Sequence, residues 1–145
     1  VLNMGEVTDA KRAQEGDILK NGVVYIAPGG KHMRVVKKGT DYCIKLSDEP
    51  AIDGLRPCAN VMYESLENCQ YDEITCVVLT GMGADGTKGI QGLAAHHKKL
   101  HVIAQDADTC VVYGMPKAIA QTGLVDEVVP LGSVAETITK NVGVS

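Results

Sequence analysis

The stretch ITCVVLTGMGADGTK at residues 74–88 decides the fold, because an apolar run passes directly into a glycine-rich loop. The run at residues 74–79 is typical of a strand that a sheet buries on both faces. After the loop, Ile90 and Leu93 lie at helical spacing, which predicts a helix over residues 87–99. The stretch therefore predicts one strand, loop and helix unit of an α/β sheet.

The same alternation of strand and helix signals continues on both sides of this unit. We predict strands over residues 23–27, 100–104 and 125–129, and a β-hairpin over residues 32–46 with Gly39 in its turn. We predict one helix over residues 57–69 with Pro57 in its first turn, a second helix that begins at residue 115, and a third over residues 133–141. Repeated units of this length indicate the α/β class, with a Rossmann-like, doubly wound and mainly parallel sheet, an inserted β-hairpin and a single domain over residues 1–145. Ligands of such sheets bind at the carboxyl ends of the strands, where we expect the loop with Asp85.

Bulk composition excludes several classes of function. The chain has 145 residues and a formal net charge of −4. It therefore has the length of about one domain, and it lacks the positive charge that a nucleic-acid backbone or an anionic membrane attracts. No apolar run reaches the roughly 18 residues of a membrane span, and the first residues do not resemble a signal peptide. We expect a cytoplasmic protein with no nucleic-acid partner and no membrane insertion.

The cysteines do not form a metal-binding or disulfide pattern. Cys43, Cys58, Cys69, Cys76 and Cys110 include no C-x-x-C pair and are odd in number. Because most of them lie in apolar runs, we expect buried free thiols in a reducing compartment. No metal and no cofactor is expected from this set.

The glycine-rich loop has one interpretation as a phosphate site. Its GMGADG segment at residues 81–86 matches the G-x-G-x-x-G pattern of dinucleotide-binding proteins, and Asp106 follows about twenty residues later, after the next predicted strand. Against this interpretation, Asp85 would place a negative charge among the N–H groups that a pyrophosphate needs. A small nucleotide-binding module remains an alternative.

The loop can instead present catalytic groups at the edge of the sheet. Glycines allow backbone conformations that leave the N–H groups of Met82 and Gly83 free to face a reacting oxygen. A carboxylate at Asp85 can orient a histidine, which is the third role in a Ser-His-Asp triad. An Asp that merely caps the helix starting near Thr87 explains the residue equally well. Residue types and spacing alone leave these interpretations open.

Several longer motifs follow one another in order along the chain. They are AQEGD at residues 13–17, YIAPGGKHM at 25–33, RP at 56–57, LTGMGADG at 79–86, IAQD at 103–106, VVYGMPK at 111–117 and GLVDEV at 123–128. Together they resemble the catalytic domain of CheB, the chemotaxis protein-glutamate methylesterase. The resemblance covers essentially the whole chain.

The resemblance implies a serine-hydrolase mechanism on an α/β fold, without a cofactor. Such enzymes remove methyl esters from glutamyl side chains of chemoreceptors, and many also deamidate glutamine there. By resemblance, Asp85 corresponds to the aspartate of the triad, and Met82 to the residue whose backbone N–H donates to the oxyanion. The implied partners are the methylated cytoplasmic region of a chemoreceptor and a response-regulator domain upstream in the full protein.

Parts of the family pattern are absent from the 145 residues. The Gly-x-Ser-Thr-Gly-Gly motif of the nucleophile and the Gln-His-Met-Pro motif of the catalytic histidine do not occur. We therefore expect a catalytic domain truncated at its N-terminus, with no ester turnover by this chain alone. A non-catalytic adaptor with the same fold is the other alternative. LRPCAN at residues 55–60 departs from the family's HRPSVD, so we expect part of the substrate rim to differ.

Other nucleophiles, bases and ligands in the sequence are weaker candidates. His32 matches a different histidine of the family and accompanies no nucleophile. His96 and His97 are adjacent, so they cannot ligate one metal from a helix, and we expect them at a helix end. Cys110 has no histidine beside it in the sequence, and we expect a buried thiol there.

Overall fold

A computed structural model describes residues 9–71, 73–96 and 99–142 of the chain. The elements in chain order are β1 (Asp9–Arg12), β2 (Val23–Ile26), β3 (His32–Lys38), β4 (Asp41–Ser47), α1 (Ala59–Ser65), β5 (Glu73–Val78), α2 (Thr87–Ala95), β6 (Lys99–Gln105), α3 (Met115–Ala120), β7 (Glu127–Val129), a 3-10 turn at Leu131–Ser133 and α4 (Val134–Asn141). Within these residues, no helix has the length and apolarity that crossing a bilayer requires.

A parallel sheet of β5, β6 and β7 positions the candidate site. Its strand order is β5-β6-β7, and all pairs are parallel. One face packs against α2 and α3 in a cluster of Cys76, Val78, Ile90, Leu93, Val102, Ala104 and Ile119. The other face packs against α4 in a cluster of Ile103, Val134 and Ile138. The predicted α/β class is confirmed, with helices on both faces of parallel strands and an aliphatic core.

The inserted hairpin also has the predicted form. β3 and β4 pair antiparallel from His32 with Ser47 to Lys38 with Asp41. Gly39 lies in the connecting turn with φ of +65°, a left-handed conformation that glycine adopts without steric cost. α1 packs against β3, where the Ser65 hydroxyl accepts a hydrogen bond from the backbone of Val35 at 2.9 Å.

The amino-terminal strands differ from the sequence-based expectation. The continuous apolar run at residues 23–27 predicts a buried strand, but the residues of β2 are half-buried or exposed, and Ile26 is 55 % exposed. Among the described strands it pairs only with β1, so no neighbour covers its outer side. β1 was not predicted, because its sequence DAKR contains no apolar period.

The ends of two helices required correction. α1 begins at Ala59 with Cys58 as its N-cap, so Pro57 precedes the helix instead of lying in its first turn, and the peptide bond before Pro57 is cis. The chain leaves the helix at Ser65 and continues in turns, four residues before the predicted end at Cys69. α2 ends at Ala95, four residues before the predicted end.

All five cysteines are free thiols, as predicted. Four of them are buried, whereas Cys110 is only half-buried because it lies in the loop after β6. The prediction of a buried thiol at Cys110 was therefore wrong.

Candidate active site

The loops that follow β5 and β6 lie side by side at the carboxyl edge of the sheet. The Thr80 hydroxyl donates to the carbonyl oxygen of Val112 at 3.1 Å and accepts from the Val112 N–H at 2.9 Å. The Gly81 N–H donates to the same Val112 carbonyl. Gln105, the last residue of β6, accepts from the Thr80 N–H at 2.8 Å and donates to the Thr109 carbonyl at 2.8 Å. These contacts fix the start of the glycine-rich loop.

Glycine is required where the two loops touch. The carbonyl oxygen of Gly81 accepts hydrogen bonds from the N–H groups of Gly114 and Met115. A Cβ atom on Gly114 would lie 2.6 Å from that oxygen and 3.0 Å from the nitrogen of Gly83. Both neighbours are backbone atoms, so any other residue at 114 would displace the loop.

The tip of the loop has two backbone donors without an acceptor among the described residues. No described residue accepts a hydrogen bond from the N–H of Met82 or of Gly83. Gly83 has φ of +88°, and the Met82 side chain is 85 % exposed, so the peptide groups at this tip are accessible. These are the two N–H groups for which the sequence predicts a position facing a reacting oxygen.

The carboxylate of Asp85 is held by the first residues of α1. It accepts hydrogen bonds from the Ala59 N–H at 2.7 Å, the Asn60 N–H at 3.0 Å and the Cys58 thiol at 3.2 Å. Asp85 therefore caps α1 from across the site. The alternative that it caps α2 was wrong, because α2 has Gly86 as its N-cap and no side-chain cap from its own loop.

Asn60 caps α2 in the same way that Asp85 caps α1. Its side-chain oxygen accepts from the N–H groups of Gly86 and Gly89, both at 2.9 Å. The helices approach closely here, since a Cβ on Gly89 would lie 2.6 Å from the Cβ of Tyr63. Each helix is thus capped by a side chain that belongs to the other helix or its preceding loop.

This reciprocal capping argues against a phosphate at the loop. A pyrophosphate would need the N–H groups at the start of α2, but Asn60 already occupies two of them. Asp106, the acid that the dinucleotide interpretation requires, accepts hydrogen bonds from the N–H and hydroxyl of Thr109 in its own loop. Neither group is arranged for a nucleotide.

Two cavities meet at Asp85. The larger, of about 490 Å³, has Asp53, Lys88 and Gln91 among its polar lining residues and exposed apolar side chains of Ile52, Leu55 and Met82 around it. The smaller, of about 300 Å³, is lined mainly by Ala27, Met33, Pro57 and Met62. Asp85 and Cys58 line both cavities. A substrate with a polar reacting group and apolar flanks matches such walls.

The segment at residues 55–60, which departs from the family pattern, lies partly at the rim of the larger cavity and partly against the carboxylate of Asp85. Leu55 lines the larger cavity, as a residue of the substrate rim would, but Cys58 and Asn60 contact Asp85. Cys58 is 2 % exposed, and burial is the main reason that the pKa of its thiol is raised, with the hydrogen bond to Asp85 adding to it. The thiol therefore remains a donor at neutral pH.

The remaining candidates are placed away from this site. His32 is buried, its Nε2 lies 2.9 Å from the carbonyl oxygen of Pro50, and no described residue pairs with its Nδ1. His96 ends α2, where its ring bonds to the Gly92 carbonyl at 2.8 Å, as expected for a helix end. His97 lies outside the described residues. Within the described ranges, no group of His, Cys, Asp and Glu side chains could hold a metal.

Two residues of the site were not found from the sequence. Gln105 lies in the IAQD motif, and a glutamine that ends an apolar strand is a signal for a buried polar contact. Asn60 was noted as a departure, but its contacts join residues 26 and 29 positions apart in the chain. Sequence spacing cannot indicate such a contact.

The fold and the location of these loops define a doubly wound α/β protein with its polar site at the carboxyl edge of parallel strands. The family profile described as CheB methylesterase matches residues 1–138. The chain therefore belongs to the CheB methylesterase family.

Individual relatives agree with this assignment. A protein-glutamate methylesterase/protein-glutamine glutaminase of Desulfotalea psychrophila is 42 % identical over 143 residues, which are 97 % of this chain and 39 % of the relative. A protein of the same name from Pyrococcus horikoshii is 42 % identical over 134 residues, or 92 % of this chain and 36 % of the relative. The chain thus spans about two fifths of the length of these relatives.

A solved structure agrees with the fold. The Thermotoga maritima CheB methylesterase catalytic domain superposes with a TM-score of 0.83 at 34 % sequence identity. The match covers 90 % of this chain and 68 % of the solved chain.

Proposed function

We propose that this chain forms part of a protein-glutamate methylesterase that hydrolyses glutamyl methyl esters of chemoreceptors. The observation that carries the proposal is the pairing, beside one cavity, of a carboxylate held by three donors with two backbone N–H groups that no described residue uses. These are two of the parts that acyl transfer by a Ser-His-Asp mechanism needs. Because the relatives' names also include glutaminase activity, hydrolysis of glutamine side chains belongs to the proposal.

In the proposed mechanism Asp85 and Met82 have separate tasks. Asp85 accepts the N–H of a histidine, fixes its tautomer and stabilises the imidazolium that forms when the histidine takes the serine proton. The Met82 N–H donates to the carbonyl oxygen as it becomes an oxyanion. Methanol leaves from an ester, or ammonia from a glutamine, and water then releases the glutamate from the acyl-enzyme.

The serine and the histidine belong to the proposed enzyme outside residues 1–145, because neither family motif occurs within them. The proposal therefore treats this chain as one part of a catalytic domain, and it predicts no ester turnover by these 145 residues alone. The proposed partners are the methylated cytoplasmic region of a chemoreceptor and an upstream response-regulator domain, which together imply a cytoplasmic location.

The test compares two aspartates at the same edge of the sheet in the protein encoded by the complete reading frame. Asp85→Asn should lower kcat for receptor methyl-ester hydrolysis by about 10³- to 10⁴-fold, because the histidine loses its orienting charge. Asp106→Asn is the matched control, since the Asp106 side chain bonds only to Thr109 in its own loop among the described residues, and it should change kcat by less than about threefold.

Two results would contradict the proposed function. Full activity of Asp85→Asn would remove Asp85 from the mechanism. Saturable binding of a dinucleotide that Asp106→Asn weakens would favour the nucleotide-binding alternative.

A further inference from the structure

The contacts of Asp85 leave its carboxylate with limited free capacity. An ionised carboxylate has about four acceptor sites, two on each oxygen. The Cys58 thiol and the Asn60 N–H occupy Oδ1, and the Ala59 N–H occupies Oδ2. One acceptor site therefore remains on Oδ2 for a further donor.

Two of the three donors are backbone groups, so Cys58 supplies the only side-chain donor among these contacts. Its thiol is shielded from solvent by its N-cap location at α1 and by burial. The raised pKa of Cys58 keeps it protonated, so that it donates to Asp85 throughout the neutral range. The thiol thus adds a second hydrogen bond to Oδ1, beside that of the Asn60 N–H.

The side chain of Asn60 fixes the backbone on the other side of Asp85. It accepts from Gly86, the residue directly after Asp85, and from Gly89 one turn later. Only an acceptor is needed for these two bonds, and a neutral amide supplies it without a second negative charge beside Asp85. An aspartate at residue 60 could make the same bonds. Two adjacent carboxylates repel each other, however, so one of the pair would be protonated at a higher pH than an isolated carboxylate.

We propose that Cys58 and Asn60 are positioning residues for Asp85, which orient its carboxylate so that one oxygen remains free for the catalytic histidine. The inference rests on the proposed esterase function and deepens it. Neither side chain has to touch the substrate for this role. Two of the residues at which the chain departs from the family pattern would then act on the triad.

The first experiment measures kcat and KM of the full-length protein with receptor methyl ester. Asn60→Ala should lower kcat about 10-fold while KM changes less than about twofold, because the loss concerns the transition state. Asn141→Ala is the matched control: it also removes a part-buried amide with two hydrogen bonds, but in α4, and it should leave kcat unchanged. Unfolding midpoints of both variants separate lost stability from lost positioning.

Conservative replacements change the pH dependence of kcat, or restore kcat, in ways that a purely structural role of these side chains does not predict. Asn60→Asp keeps both acceptor bonds, so kcat at its pH optimum should be retained while the acid limb of the pH profile moves to higher pH. Asp53 and Lys88 line the same cavity, and the Tyr63 hydroxyl lies near enough to interact with Asp85, so these groups stay unchanged in the comparison.

Cys58→Ala should lower kcat about threefold to 10-fold, and Cys58→Ser should restore it with a hydroxyl donor.

A spectroscopic measurement reads the thiol contact without turnover. The infrared S–H stretching band of Cys58 can be isolated as the difference between wild type and Cys58→Ser. It should move to higher frequency in Asp85→Asn, because an amide oxygen is a weaker acceptor than a carboxylate.

The outcomes separate the two levels of the proposal. Wild-type kcat in both Asn60→Ala and Cys58→Ala, beside an inactive Asp85→Asn, would overturn the positioning role alone. A Cys58 S–H band that does not respond to Asp85→Asn would overturn the thiol contact. Full activity of Asp85→Asn would overturn the proposed function and the positioning role together.

Discussion

Besides its backbone pairing with β5 and β7, β6 has a buried side-chain amide at its carboxyl end, whereas the side-chain contacts at its amino end lie at the surface. Gln105 is 1 % exposed and makes its hydrogen bonds to the backbone of Thr80 and to Thr109. At the other end, Lys99 contacts Glu73 at 2.7 Å with both side chains largely exposed. His101 lies 2.6 Å from Glu127, with each side chain about one third exposed.

The difference shows which contacts can hold the loop of the candidate site in place. A buried neutral hydrogen bond is directional. A buried donor or acceptor that loses its partner destabilises the folded protein, because water cannot replace that partner. An exposed ion pair contributes little, since water and salt screen it and long side chains lose entropy. β6 therefore has its buried side-chain hydrogen bonds at the edge that carries the candidate site.

The largest expected effect of breaking the carboxyl edge is that of Gly114→Ala. The new Cβ would lie 2.6 Å from the oxygen of Gly81, which cannot move without displacing the loop. We expect the free energy of unfolding to fall by about 3 kcal/mol, measured by urea denaturation. Gly132→Ala is the control, because nothing lies within 4 Å of its Cβ, and an equal loss there would refute the steric explanation.

Gln105→Leu tests the buried amide with a side chain of similar size. The Thr80 N–H and the Thr109 carbonyl would lose their partner, and since both residues have some access to water, we expect a loss of about 2 kcal/mol in urea denaturation. The exposed Gln121→Leu serves as the control and should leave the midpoint unchanged. Equal effects of the two changes would mean that Gln105 holds nothing in place.

The contact between His101 and Glu127 at the amino end predicts a pH dependence. The hydrogen bond from His101, followed by that from Asn141, lowers the pKa of Glu127 below its usual value. A carboxyl with a lowered pKa in the folded state stabilises the protein above its unfolded pKa, and that stability is lost as pH falls through the folded value. The difference in unfolding free energy between wild type and Glu127→Gln should therefore be present at about pH 6 and disappear towards about pH 3. A difference that grows on acidification would contradict this sign.

The smallest effect is expected for Lys99→Ala. The partners Lys99 and Glu73 are 78 % and 65 % exposed, so removing the pair should leave the urea midpoint within experimental error at physiological salt. A loss as large as that of Gln105→Leu would erase the contrast between the two ends of β6.

The parts of the fold that were predicted are those with local signals. β5, β6 and α2 follow from apolar runs and helical spacing, and the hairpin follows from Gly39 between two alternating segments. β1 was missed because DAKR has no apolar pattern and its pairing with β2 supplies the order.

The candidate site was predicted only in part, for a physical reason. Asp85 and the N–H of Met82 were singled out because glycine patterns and a carboxylate are visible in one short loop. Their support was not visible, since Asp85 is held by residues 25 to 27 positions earlier and Thr80 by a residue 25 positions later. Contacts over such separations come from packing of α1 against α2 and of β5 against β6, which no local pattern encodes.

The reciprocal capping of α1 and α2 also joins the two helices dynamically. Asp85 protects the N–H groups of Ala59 and Asn60, and Asn60 protects those of Gly86 and Gly89, so neither first turn can open without releasing the other. These four amide hydrogens would then exchange with deuterium as one cooperative unit, with a common free energy of opening. The N–H groups of Met82 and Gly83 would exchange far sooner, because no described residue accepts a hydrogen bond from them.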